Sequence, residues 1–171
     1  MTSGPNLGAD KGLAATAVVT AASAAILAAV YIAQYGFDLW PCSLCYMQRV
    51  PYVLAVVLGA LALMPAVDSR SRRVVLFHMV GLFVLAASLG LYHVGVESQW
   101  WAGPVTCTGG ARTIGMEDLG AALAKPGQPM CDEPAFVFMG ISLAGYNVIA
   151  ALLLVGFSLM AALRKDWWTR Q

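Results

Sequence analysis

The stretch Val74–Val96, VVLFHMVGLFVLAASLGLYHVGV, runs for 23 residues without an Asp, Glu, Lys or Arg. A helix rises 1.5 Å per residue, so about 20 apolar residues cross the hydrocarbon core of a bilayer. Three more charge-free runs reach that range: Leu13–Ala33 with 21 residues, Val50–Val67 with 18 and Ala135–Leu163 with 29. The last exceeds one span, so its first turn or two is expected in the interface or the helix to tilt. The reading is an all-α bundle of four transmembrane helices forming one membrane domain, with spans at about 13–33, 46–67, 74–96 and 135–163. Outer segments at 34–45 and 97–134 connect them.

Composition agrees with the spans. The 171-residue chain is 60% hydrophobic and 11% charged, with a mean hydropathy of +0.73, whereas soluble domains carry about 25% charge. A water-soluble enzyme and a disordered chain are excluded. Ten Lys and Arg against nine Asp and Glu leave no basic surface for a nucleic acid. The first run exceeds the 7–15 residues of a signal-peptide core, and Tyr31, Ile32 and Gln34 offer no small-residue cleavage site, so it reads as a retained span.

Basic loops stay in the cytoplasm. Lys11, Arg70, Arg72, Arg73, Arg164, Lys165 and Arg170 fall on the side of the termini and of the Asp68–Arg73 loop. Arg49, Arg112 and Lys125 fall on the other, with Asp38, Glu97, Glu117, Asp118, Asp132 and Glu133. Both termini are therefore expected inside. Trp40, Trp100 and Trp101 at the outer ends and Trp167 and Trp168 at the inner end mark the borders where amphipathic rings sit. Glycine and proline break the long outer segment into turns, and Thr113–Ala124 has the pattern of a short amphipathic surface helix.

All four cysteines fall outside, in the compartment where disulfides persist. Cys42 and Cys45 form a Cys-x-x-Cys before the second span, and Cys107 and Cys131 lie in the long loop. Three connectivities are open; pairing Cys42 with Cys45 and Cys107 with Cys131 is the simplest. A Cys-x-x-Cys at a helix N-terminus sets one thiol against unsatisfied N–H groups and the positive end of the dipole, which lowers its pKa and makes it a nucleophile and a leaving group. The alternatives are two inert staples or a four-thiolate zinc site. Haem attachment through Cys-x-x-Cys-His is excluded because Tyr46 follows Cys45.

Arg49, four residues after Cys45, is expected on the same helix face, where its guanidinium would favour a thiolate. Pro51 cannot donate to Met47, which predicts a kink in between. His93 lies one turn from the outer end of the third span, placed either to hold the carbonyl of a lipid-soluble acceptor or to reach the headgroups. His78, near the inner end, reads as interfacial, and Asn147 as the source of an interhelical hydrogen bond.

With Pro41-Cys42-Ser43-Leu44-Cys45-Tyr46-Met47-Gln48-Arg49 opening the second span and a two-cysteine outer loop, the chain resembles the disulfide bond formation protein B (DsbB) family of bacterial inner membranes. The segments Tyr92–Glu97, Cys107–Gly109, Cys131–Glu133 and Gly140–Asn147 resemble a subgroup of it. The resemblance implies a four-helix protein-dithiol:quinone oxidoreductase, its cysteines facing the periplasm. It would reoxidise a thioredoxin-fold DsbA-like partner and pass the electrons to membrane quinone, ubiquinone ahead of menaquinone, supporting the oxidising state of that compartment. Carried over by motif, Cys107 takes the partner's attack, Cys131 exchanges with Cys42, and Cys45 is left as the thiolate that meets the quinone, with Arg49 and His93 at the quinone. A vitamin K epoxide reductase-like enzyme would also join Cys-x-x-Cys and quinone in a small bundle, but there the loop pair precedes the Cys-x-x-Cys. A non-catalytic membrane protein braced by two disulfides is the other alternative.

Overall fold

The structure, a computed structural model, describes residues 7–104, 107 and 130–168. The expected surface helix at Thr113–Ala124 lies outside them. Four helices are long and apolar enough to cross a membrane: α1 (Leu7–Gly36), α2 (Ser43–Ala62), α3 (Ser69–Glu97) and α4 (Leu143–Leu163). A two-stranded hairpin, β1 (Val137–Phe138) and β2 (Ile141–Ser142), precedes α4, and a 3-10 turn at Lys165–Trp167 follows it.

Two helices depart from the expected spans, each for a local reason. α2 occupies Ser43–Ala62 instead of 46–67. Cys42, extended at φ −75° and ψ 175°, caps its start, while Pro65 disfavours helical backbone at the residue before it and ends the segment early. α4 begins at Leu143 rather than 135, because Met139 at φ 50° and Gly140 at φ 79° turn the chain back, pairing Val137 with Ser142 and Phe138 with Ile141. Two consecutive positive-φ residues match the twist of a tight hairpin. Ser142 then caps α4, its Oγ accepting from the Gly145 N–H at 3.2 Å. α2 runs as one helix through Pro51.

The core is made of small and medium side chains. Leu76, Met79, Phe83 and Ala86 of α3 meet Tyr52 and Ala55 of α2, Val19 of α1 and Ala151 of α4, with α3 packed most extensively on α4. Lipid is as apolar as any core, so close backbone approach decides which face turns inward. Leu153 is 69% exposed while Ala151 is fully buried. At Gly59 a Cβ would overlap the Thr20 hydroxyl and stand 2.9 Å from Met79 Cε. Buried Thr16, Thr20 and Ser23 donate to the carbonyls one turn back, at 2.9, 2.8 and 2.9 Å, the internal pairing that a polar group at bilayer depth requires.

One end of the bundle holds the turn between α2 and α3. Arg72 Nε donates to the Ala62 carbonyl at 2.9 Å and Arg73 Nε to the Ala162 carbonyl at 2.7 Å, so two cations satisfy orphan carbonyls at two helix C-termini. Trp168 donates to the Ala161 carbonyl at 2.9 Å and covers Gly12, where a Cβ would stand 2.7 Å from its ring. Both described ends of the chain therefore share this end. The cysteines occupy the other.

Candidate active site

Cys42 and Cys45 are placed by the first turn of α2. As the N-cap, Cys42 turns its sulfur back over the helix end and accepts the Cys45 N–H at 3.4 Å. Three residues make almost one turn, so Cys45 Sγ comes to 3.0 Å from Cys42 Sγ. Both are free thiols, whereas Cys107 and Cys131 are joined as a disulfide. A site of four thiolates is thus not formed.

The loop disulfide lies directly on the motif. Ser43 Oγ stands 2.7 Å from Cys107 Sγ and 3.8 Å from Cys131 Sγ; a disulfide sulfur has no proton, so the hydroxyl donates. Cys42, Leu44, Val96, Cys107 and Cys131 form one buried apolar cluster with Cys45 against it.

His93 reaches the motif from α3. Its Nε2 is 3.6 Å from Cys42 Sγ and 3.8 Å from Glu97 Oε1. Buried among helices, at 3% exposure, it is not a headgroup anchor. Its Nδ1 is 2.7 Å from Gln48 Nε2. Gln48 Oε1 accepts from Asn147 Nδ2 at 2.7 Å, and Asn147 Oδ1 from the Tyr52 hydroxyl at 2.7 Å. Gln48 and Tyr52 are site residues that the sequence reading did not single out, although Gln48 stood inside the quoted motif. His78 lies apart, exposed, on the Val74 carbonyl at 2.8 Å.

Cys42 is held far below the ordinary thiol range, at about 4. The hydrogen bond from Cys45 is the largest cause; burial opposes it, and His93 and the Cys45 N–H add to it. With those donors directed at Cys42 Sγ, the proton shared by the two sulfurs belongs to Cys45. In the reduced pair these donors favour negative charge on Cys42.

Arg49 turns toward α1 rather than onto the Cys45 sulfur. Its Nη1 donates to Gln34 Oε1 at 2.7 Å, and its guanidinium stacks over Tyr31 at 5.0 Å and Tyr46 at 4.9 Å. It remains beside the motif because both line a cavity of about 200 Å³. Apolar side chains such as Ile26, Val30, Trp40 and Leu143 make most of its wall, and Cys45, Gln48, Arg49, His93 and Asn147 supply the polar part. A mostly apolar cavity with a few convergent polar groups is the usual form of a small-molecule site.

The sequence has relatives among known proteins. The family profile for disulfide bond formation protein DsbB matches residues 13–161. The chain belongs to the DsbB family. Disulfide bond formation protein B of Polaromonas sp. (strain JS666 / ATCC BAA-500) is 31% identical over 160 residues, covering 88% of this chain and 91% of that one. An uncharacterized protein of Rickettsia prowazekii (strain Madrid E) is 25% identical over 134 residues, covering 77% and 76%. No solved structure gives a significant match. As a DsbB-family protein, the chain is a membrane protein of disulfide bond formation, and DsbB proteins in general use quinones.

Proposed function

We propose that this protein is a protein-dithiol:quinone oxidoreductase of the bacterial inner membrane that reoxidises a DsbA-like thioredoxin-fold partner, with its termini in the cytoplasm and its cysteines toward the periplasm. One observation carries the reading: the free Cys42–Cys45 pair stands between a loop disulfide and an apolar cavity. The first is buried at 1% exposure and must swing outward for a water-soluble donor to attack it, while the second suits a lipid-soluble acceptor.

Electrons balance along this route. The partner's thiolate attacks Cys107 Sγ and breaks its bond to Cys131. Cys131 attacks Cys42, breaking the Cys42–Cys45 bond of the oxidised enzyme. The partner's second thiolate displaces Cys107 and completes the partner's disulfide; the Ser43 hydroxyl, 2.7 Å away, stabilises the leaving sulfur. Cys107 then attacks Cys131, restores the loop disulfide and releases Cys42. The outcome is the arrangement described above, two free thiols beside one disulfide.

The cavity residues fit a quinone headgroup. The quinone supplies a two-electron, two-proton acceptor. Cys45, the cysteine on the cavity wall, yields its proton to the Cys42 thiolate when its sulfur acts. Arg49 commits only Nη1 to Gln34 among the described residues, leaving other N–H groups of its fork for a carbonyl oxygen, where a cation favours developing negative charge.

The test uses purified protein in detergent with a reduced thioredoxin-fold donor and a soluble ubiquinone or menaquinone, following quinone absorbance for wild type and Cys42→Ser. Donor-limited reduction by the wild type and none by the variant supports the relay. Untouched quinone, with all four cysteines of the oxidised protein still blocked to alkylation after donor addition, would leave the cysteines as structural braces and overturn it.

A further inference from the structure

Gln48, His93, Tyr52 and Asn147 form one continuous chain of hydrogen bonds between α2, α3 and α4. Each amide and imidazole in such a chain can point either way. One contact removes the choice. Asn147 Nδ2 lies 3.4 Å from the Ala86 carbonyl, and a carbonyl only accepts. The Asn147 amide nitrogen therefore faces Ala86, and its second N–H goes to Gln48 Oε1 at 2.7 Å. Asn147 Oδ1 faces Tyr52, which donates to it at 2.7 Å. With Gln48 Oε1 occupied as an acceptor, its Nε2 donates to His93 Nδ1 at 2.7 Å. An Nδ1 that accepts carries no proton, so in the neutral ring the proton is on Nε2, the nitrogen 3.6 Å from Cys42 Sγ.

We propose that Asn147, acting through Gln48, is a positioning residue that fixes His93 as the Nε2–H tautomer and so directs a hydrogen-bond donor at the Cys42 sulfur. Every donor from Tyr52 onward points toward Cys42. A thiolate released there finds its partner already oriented, without the reorganisation that a freely rotating donor would need. Other titratable or charged groups about this sulfur are Cys45 at 3.0 Å on α2, Arg49 one turn farther along α2, and Glu97 on α3. Glu97 stands 3.8 Å from the same His93 nitrogen and can only reinforce a proton on it. The same polarity decides against a shared metal ion. Cys42, Cys45 and His93 offer ligand atoms within 4.8 Å of one another, but a metal-bound histidine needs a bare Nε2 and a donating Nδ1.

The bearing of this device on turnover rests on the relay proposed above, whereas the tautomer is read with neither donor nor quinone present, so the two ideas fail separately. The chain has two histidines. Long-range proton–nitrogen NMR on reduced full-length protein labelled with 15N-histidine, with His78→Gln to assign the signals, reports the tautomer directly. The expected result is a bare Nδ1 and a protonated Nε2 on His93. In Asn147→Leu the lock on Gln48 is lost, and both tautomers appear. The pH midpoint of Cys42 labelling by iodoacetamide, read by mass spectrometry, moves up from its acid wild-type value by as much as about one unit, the worth of one hydrogen bond to a charged acceptor. A wild-type His93 with a protonated Nδ1 and bare Nε2 overturns the proposal even where the variant does not fold, and favours a metal ion shared by Cys42, Cys45 and His93. A folded Asn147→Leu protein with an unchanged tautomer and labelling midpoint also overturns it.

Discussion

Replacing Arg49 with Met keeps the length of the side chain and removes its charge and fork. The guanidinium holds Gln34 Oε1 at 2.7 Å and lies over two rings at 5.0 and 4.9 Å, so the protein itself sets its position. What the acceptor loses is one charge-assisted hydrogen bond, about 1.5–3 kcal/mol, or roughly 10- to 150-fold at 1.36 kcal/mol per decade. The loop disulfide is engaged through Ser43 on the far side of Cys42, so the donor side is untouched. The expected outcome is a rise of that size in apparent KM for a soluble quinone, with the KM for the reduced thioredoxin-fold donor unchanged. Gln34, 2% exposed, is also left unpaired, so Tm in detergent falls; the double variant Arg49→Met with Gln34→Leu recovers Tm but not quinone use. An unchanged quinone KM, or an equal rise in both constants, would refute the placement of Arg49 at the acceptor.

Cys107→Ala is expected to abolish the covalent complex with the partner, assayed by non-reducing electrophoresis of the trapped mixed disulfide; a complex formed as readily through Cys42 would reverse the order of exchange. The reactivity of Cys42 has a distinctive pH dependence. With its pKa lowered to about 4, its alkylation rate stays flat from pH 8 to 5 and falls only near 4, while an ordinary thiol slows about tenfold per unit below its pKa. The sign for stability follows: between that value and the ordinary thiol range the unfolded chain binds a proton that the folded one does not, so this group's contribution grows as pH rises across that window. A labelling rate that falls steadily from pH 8 would refute the assignment of the charge to Cys42.

The helices, their number and the closeness of Cys42 to Cys45 were legible because each depends on short-range facts, although the two are free thiols here and not the expected disulfide. A charge-free run near 20 residues has few alternatives in a bilayer, where every backbone group must be satisfied within its own helix. A Cys-x-x-Cys starting a helix brings two sulfurs together through one turn. Boundaries were less legible, since the end of α2 depends on Pro65 and the start of α4 on a hairpin whose turn uses a left-handed Met139 beside Gly140. Arg49 was found by its spacing from Cys45, but spacing could not show that Gln34 and Tyr31 of another helix would draw it aside.

By itself, then, the amino-acid sequence determined a four-helix membrane protein with two cysteine pairs at one end, because span length and motif spacing are properties of a single helix. Tertiary structure alone decided what surrounds those cysteines. His93 and Asn147 lie 51 and 105 residues from Cys42 in the chain, and bringing them into one line with Gln48 requires a particular rotation of three helices about their axes. Apolar periodicity, which sets that rotation in a soluble protein, carries little of it in lipid, where a leucine gains nothing by turning inward. Here the rotation follows from small residues such as Gly59 and Gly90, where a Cβ at Gly90 would meet Val148 at 2.8 Å and Asn147 at 2.9 Å, and from buried polar groups that have partners in only one arrangement.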